Sequence, residues 1–320
     1  MIERVATLPG RTTSGPAPAA VSRYSDVGCS RVFPLISFVL LALLSSRSYA
    51  ASERNPACAL TAGPKRAVVK VIDAQTVALD DGAEVRLIGA LSPGAPTAEI
   101  PIGRWSPARQ AKAALEKLVL GRSVQLKFAG ERRDRYGRFL AHMFVVGQDH
   151  GTWVQAEMVA RGHARVYSYR RSRACVRDLL IQEAQARTAR RGLWRHAAYA
   201  VRQAWRAREL MRFRHSYQLV EGRVLKVAKV GRRTFLNFGR KWRQDFTIVV
   251  TGRDHRAFEK SGLKLGELEG ERVRVRGWLE RWNGPLIRAT HPEQLEVLGK
   301  RRRRSARKHR PRDDDAKSPR

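Results

Sequence analysis

Between residues 232 and 243, and again at 281–282, aromatic rings are interleaved with cations: Arg232, Arg233, Phe235, Phe238, Arg240, Lys241, Trp242 and Arg243, then Arg281 and Trp282. Rings stack on unpaired bases and cations track a phosphate backbone, so this is the pattern of a single-stranded nucleic acid site. The same residues also suit a small barrel, with the rings filling it and the charges solvating it. On that reading Phe235 and Phe238 belong to the core, while Trp242, flanked by charge, fits either role. Other chemistries have less support. The eight histidines are scattered, with no His-x-x-x-His pair and no Ser/His/Asp arrangement. None of Cys29, Cys58 and Cys175 has a C-x-x-C neighbour, which argues against zinc.

The whole chain of 320 residues carries 63 Lys+Arg against 29 Asp+Glu, a formal net charge of +34. Such an excess favours an anionic partner: nucleic acid, another polyanion or a lipid head-group surface. The apolar share of 43% excludes a fully disordered chain. Residues 300–320, beginning Lys300-Arg301-Arg302-Arg303-Arg304, are expected to be a disordered cationic tail.

The first 50 residues have the pattern of a signal peptide. Arg4, Arg11, Arg23 and Arg31 precede an apolar run from Val32 to Leu44, and Ser48-Tyr49-Ala50 ends it with a small-x-small cleavage site. The run is shorter than the roughly 20 residues of a membrane span; an uncleaved anchor is the alternative. The long leader before it places the true start at a Val such as Val21 or Val27. Export to a periplasmic or secreted location would leave Cys58 and Cys175 in an oxidising compartment, where one disulfide is expected; two unrelated buried thiols are the alternative.

Two β-rich stretches must position these groups. The first, after a segment 51–65, runs over 66–195. Strand patterns at 67–72, 76–79 and 84–89 surround an Asp80-Asp81-Gly82 hairpin turn. A Pro-rich loop from Ser92 to Trp105 leads to Ser106-Pro107, a helix start whose apolar stripe is Ala111, Ala114, Leu115 and Leu118. Strands at 123–128 and 139–146 follow, then a helix capped by Thr152 and another from about Arg173 to Arg191. Across a basic connector at 196–215, strands return at 218–227, 234–237 and 246–251, then a helix near 254–260, then strands at 272–279 and 286–289. Three strands, a helix and two strands over 216–299 is the order of an OB-type barrel.

Four strings together resemble the staphylococcal-nuclease-like (thermonuclease) family. They are Val71-Ile72-Asp73-Ala74-Gln75-Thr76-Val77, Val85-Arg86-Leu87-Ile88-Gly89, Asp134-Arg135-Tyr136-Gly137-Arg138 with Leu140-Ala141, and Glu183-Ala184-Gln185-Ala186-Arg187 before Gly192-Leu193-Trp194. The resemblance covers 66–195 and implies an OB barrel with added helices. The expected fold is therefore mainly β with α, followed by a second OB-like module that the resemblance does not reach.

In that family calcium-dependent hydrolysis of DNA and RNA uses carboxylates to hold the ion and activate water, and two arginines to neutralise the phosphate. The resemblance implies that Arg86 and Arg138 are the phosphate pair, with Tyr136 stacking on a base or packing its hairpin. The carboxylates are replaced. Gln75 stands where the family has the second Asp of its Asp-Gly-Asp, Leu91 at the other metal-binding Asp, and Gly94 at the Glu that acts on water. Asp73, Asp80, Asp81 and Glu84 are the carboxylates left nearby. No cofactor is expected, and nucleic acid contact is assigned to Arg86, Arg138, Tyr136, Arg240, Lys241, Trp242 and Arg243. Three functions follow: a nucleic-acid or polyanion binder with hydrolysis lost or weakened, a nuclease with a rearranged ion site, or an envelope protein holding anionic polymers.

Overall fold

The computed structural model describes residues 58–94, 106–147, 151–241 and 243–299, which all fall in one compact unit. The signal-peptide and start-site readings, most of the Pro-rich loop, Trp242 and the basic tail lie outside the described residues.

A long strand organises the first half. In β1 (Thr61–Asp73), residues 61–67 pair with β5 (Ser123–Phe128), while Val68 to Asp73 pairs with β2 (Thr76–Leu79). Register shifts at Ala62/Lys65 and Val68/Lys70 accompany this change of partner, as bulges bend and twist a strand. β2 continues antiparallel into β3 (Glu84–Leu87), β5 into β6 (Phe139–Val145), and β3 pairs parallel with β6. The cycle β1-β2-β3-β6-β5 closes a five-stranded barrel. Alternation explains its filling: on β5, Val124, Leu126 and Phe128 point in while Ser123, Gln125 and Lys127 point away. Val68, Val77, Leu79, Val85 and Met143 complete the buried centre. Each such side chain contributes roughly 1.5–3 kcal/mol by leaving water.

Helices cover this barrel. Between β3 and β5 lie the short β4 (Ala90–Leu91) and α1 (Pro107–Val119). α1 starts as the sequence predicts: Ser106 Oγ accepts from the Arg109 amide at 3.4 Å, Pro107 takes the first turn, and Ala111 and Leu115 are buried. Then come β7 (Thr152–Trp153), α2 (Val154–Ala160), β8 (Arg165–Val166) and α3 (Val176–Thr188), with β4 and β8 paired antiparallel.

The second half repeats the strand order. After β9 (Arg202–Gln203) and α4 (Ala207–Leu210), β10 (Tyr217–Arg223) breaks at Val224-Leu225 and resumes as β11 (Lys226–Val230). β12 (Arg233–Asn237), β13 (Thr247–Thr251), α5 (Gly252–Lys260), β14 (Arg272–Trp282) and β15 (Gly284–Arg288) follow, with β16 (Leu295–Val297) on the edge of β14. The sheet runs β11-β12-β13-β15-β14-β10, and β13 and β15 are parallel. With β10 and β11 taken as one broken strand, this is the connectivity of the first barrel. Leu236, Phe246, Ile248, Phe258, Val273, Leu279 and Ile287 form its core.

The structure departs from the sequence pattern in several places. β1 begins at Thr61 rather than near residue 66, because Pro64, which cannot donate to a ladder, sits inside the Ala62/Lys65 register shift and hides the strand. Thr152 does not cap α2; it lies in β7, and the cap position is Trp153, without a side-chain bond. α3 is shorter at both ends than the 173–191 pattern. The basic stretch 196–215 is structured, with β9 laid parallel to β10.

Candidate functional site

Two of the four strings that carry the family resemblance, 71–77 and 85–89, meet at a pocket of about 400 Å³ beside the first barrel; the strings at 134–141 and 183–194 do not line it. The β1–β2 turn supplies Asp73 and Gln75, β3 supplies Arg86, the chain after β4 supplies Gly94, and the start of α1 supplies Arg109 and Lys112. Arg86 faces it because its neighbours Val85 and Leu87 point into the barrel core. Among the described residues Arg86 makes no ion pair. Arg109 and Lys112 are functional candidates that the sequence reading missed. A signal was present: Arg109 falls in the first turn of α1, which has no acidic residue, and a cation there opposes the helix dipole unless an anion sits nearby. Among the described residues Lys112 has only a long ion-pair contact, 3.9 Å, to Glu116.

Among the described residues, the single carboxylate lining this pocket is already hydrogen-bonded within its turn. Asp73 Oδ1 accepts from the Gln75 amide at 2.6 Å, and its Oδ2 accepts from Thr76 Oγ1 at 3.1 Å, so it holds the β1–β2 turn together. Gln75 donates its side-chain amide to the Ala90 carbonyl at 2.6 Å, tying that turn to β4. Leu91 is not in the pocket lining. It packs against the cluster of Ala186, Trp194, Tyr217 and Leu219, which brings α3 together with the second sheet. A Cβ built at Gly94 meets no described atom within 4 Å. Calcium takes 6–8 oxygens. An amide bonded elsewhere, a packed isobutyl group and a bare α-carbon do not make that donor set.

Asp80, Asp81 and Glu84, the other carboxylates considered from the sequence, do not line the pocket. Asp81 Oδ1 accepts from the Ala83 amide and its Oδ2 from Arg66, both at 3.0 Å, and these bonds hold its carboxyl below the ordinary value. Asp80 and Asp81 thus serve the hairpin, as the turn pattern implied. Among the described residues the one cluster close enough for a metal is Cys58, Cys175 and Asp178, whose sulfurs are joined to each other. The expected disulfide is therefore present, 117 residues apart in sequence.

Arg138 is not brought into the pocket lining. It immediately precedes β6, the strand next to that of Arg86, where Leu140 stands opposite Arg86. Its guanidinium is held by Asp134 Oδ2, at 2.8 Å from Nε and 2.7 Å from the terminal nitrogen. Burial would raise the Asp134 carboxyl, but the bonds from Arg138 and from the Tyr136 amide lower it overall. Tyr136 is exposed at the hairpin tip, with the Arg135 and Arg138 guanidiniums 4.7 and 5.2 Å from its ring centre.

On the second sheet, Phe238 is buried against Phe246 as the core reading requires. Phe235 is not: it is half-buried and lies beside Trp282 on an outward-facing groove, a correction to the core assignment. The difference is one of parity, since Leu236 between them takes the inward position on β12. Arg240 lines the same groove. Lys241 and Arg243 are exposed on the adjoining turn, where the Lys241 amide donates to Asp245.

The two halves meet through buried charge. Arg276 of β14 is 1% exposed and pairs with Glu183 of α3, itself 0% exposed, at 2.8 Å, and with Glu296. Burial alone would lower the Arg276 guanidinium, yet Glu183, Tyr217 and Glu296 raise it above its ordinary value. Glu183 also accepts from the Val166 amide at 2.8 Å, and Arg165 donates to the Tyr217 carbonyl at 2.6 Å. Ser168 meets His291, and Arg173 chelates Glu293 with two bonds of 2.8 Å.

A closed β-barrel with a cationic pocket at the β1–β2 turn defines an OB-type scaffold. Comparison with known proteins is more specific. The model of the family described as staphylococcal nuclease homologue matches residues 85–196. An uncharacterized endonuclease of Escherichia coli is 30% identical over 142 residues, which are 44% of this chain and 84% of that protein. Endonuclease YncB of Bacillus subtilis is 33% identical over 86 residues, 26% of this chain and 39% of its own length. The chain belongs to the staphylococcal-nuclease-like family. The second sheet lies outside the residues that the family model matches.

Proposed function

We propose that this protein is an exported nucleic-acid-binding member of the family in which calcium-dependent phosphodiester hydrolysis is lost or much weakened. One observation carries the reading. Among the described residues, the pocket lined by Arg86, Arg109 and Lys112 has Asp73 as its single carboxylate, with both oxygens bonded within the turn, so these residues attract phosphate without a donor set for a divalent ion. Export is supported by the leader pattern and by the Cys58–Cys175 bridge, which suits an oxidising compartment. No helix among the described residues is long and apolar enough to cross a membrane.

Binding measured against salt tests this reading. Affinity for DNA falls on a log–log plot with a slope of about −0.9 per phosphate neutralised, and Arg86→Ala or Arg109→Ala lowers that slope by about one. Flat salt dependence, or equal affinity for any polyanion, would favour the envelope-polymer reading. The retained Arg86 and the endonuclease names of the relatives favour a second reading, a working nuclease. It requires chelator-sensitive cleavage by the purified protein that disappears in both Arg86→Ala and Arg138→Ala; the first reading expects no such cleavage.

A further inference from the structure

A sheet face turned to solvent should alternate toward polar residues, but the outward face of β11, β12 and β15 does not. Ala228, Val230, Phe235 and Leu286 lie together there, with Leu225 and the ring of Trp282 beside them, around a groove of about 810 Å³. Val230 is 65% exposed and Trp282 41% exposed. An apolar patch of this kind with a charged rim marks a contact surface.

The rim identifies the partner's charge. Lys226 and Arg240 line the groove, and no described carboxylate does. The Arg233 and Arg288 guanidiniums stand 5.2 and 5.9 Å from the Trp282 ring; Arg288 is tied to Glu280 at 2.7 Å, whereas Arg233 has no ion pair among the described residues. Phe235 and Trp282 are 6.0 Å apart at a tilt of 58°, so they present two ring surfaces to one strand. Asn237, Asn283 and Thr247 add donors and acceptors between them. An anionic backbone with flat, unpaired rings satisfies all of these features. A duplex, whose bases stack on each other, leaves the apolar surface uncovered.

Resting on the nucleic-acid reading above, we propose that this groove holds a short stretch of single-stranded nucleic acid, with bases stacked on Trp282 and Phe235 and phosphates on Arg240, Lys226 and Arg233. The second barrel then grips an unpaired strand separately from the pocket around Arg86.

The test uses the full chain and fluorescently labelled 12-mers, single-stranded oligo-dT and a duplex of equal length, read by anisotropy. Trp282→Ala and Phe235→Ala each weaken single-strand binding by roughly five- to a hundredfold and change duplex binding by less than about twofold; Trp282→Phe retains most of the affinity. Arg240→Ala, on an exposed side chain, gives a smaller loss that is steeper at low salt and guards against a folding artefact. Equal losses on both substrates, or none, would overturn the groove assignment while leaving the nucleic-acid reading in place. Failure of the unaltered chain to bind either 12-mer would overturn both. Displacement of oligo-dT by a neutral chitin-type oligosaccharide, with little salt dependence, would assign the rings to sugar instead.

Discussion

At the level of single residues, three neighbouring replacements have three different physical settings. Gln75 is a clasp between the β1–β2 turn and β4, Leu91 is part of the packing between the halves, and a Cβ at Gly94 meets no described atom within 4 Å. Restoring acidic groups therefore has unequal consequences. Gly94→Glu places its carboxylate in open pocket and leaves the melting temperature nearly unchanged. Leu91→Asp pushes a charge against Trp194, Tyr217 and Leu219 and costs about 1–3 kcal/mol. Thermal melts of the two variants check this, and equal tolerance would mean that packing does not hold position 91. The positions themselves were legible in the sequence, because the surrounding strings fix the alignment residue by residue. The reason for the leucine was not, since it depends on Tyr217 and Leu219, more than 120 residues away in the chain.

At the level of elements, strand order was readable and charge pairing was not. Alternation placed β5, β12 and β13, and Ser106-Pro107 placed the start of α1. An arginine-rich sequence, however, gives no sign of which arginines are internal: Arg276 looks like Arg272 or Arg274 on the same strand. It is buried because α3 presents Glu183 to it, and Glu183 also binds the Val166 amide and Arg187. Removing that carboxylate leaves Arg276 with Glu296 as its one described counter-charge and strips the Val166 amide of its acceptor, so Glu183→Ala costs about 3 kcal/mol in denaturant melts. Pairing it with Arg276→Met returns a substantial part of the loss, because an apolar side chain needs no counter-ion. If the double variant were no more stable than the single one, the ion pair would not be the source of the cost.

For the molecule as a whole, acid is the condition to which this architecture is most exposed. His142 is fully buried on β6 against Trp153, and neither ring nitrogen has a partner among the described residues; burial lowers its pKa to about 4. His291, at the junction of the halves, is also lowered to about 4, again chiefly by burial. Both values lie below the ordinary 6.5, so the unfolded chain binds protons that the folded chain refuses as pH falls from about 6.5 toward 4. Stability from these groups is complete above about pH 6.5 and declines below it, by on the order of 3 kcal/mol per histidine by pH 4. The lowered carboxyls of Glu221, Glu293 and Glu296, held down by their arginines against burial, act in the same direction but lower on the scale, below their ordinary 4.5. Urea melts between pH 7.5 and 4.5 should therefore show steadily falling midpoints. His142→Leu, which removes a titrating ring without breaking a described hydrogen bond, flattens that slope and leaves the midpoint at pH 7.5 little changed. A slope unaltered by His142→Leu would show that this ring takes up its proton in the folded barrel, against the burial that the packing of β6 imposes on it.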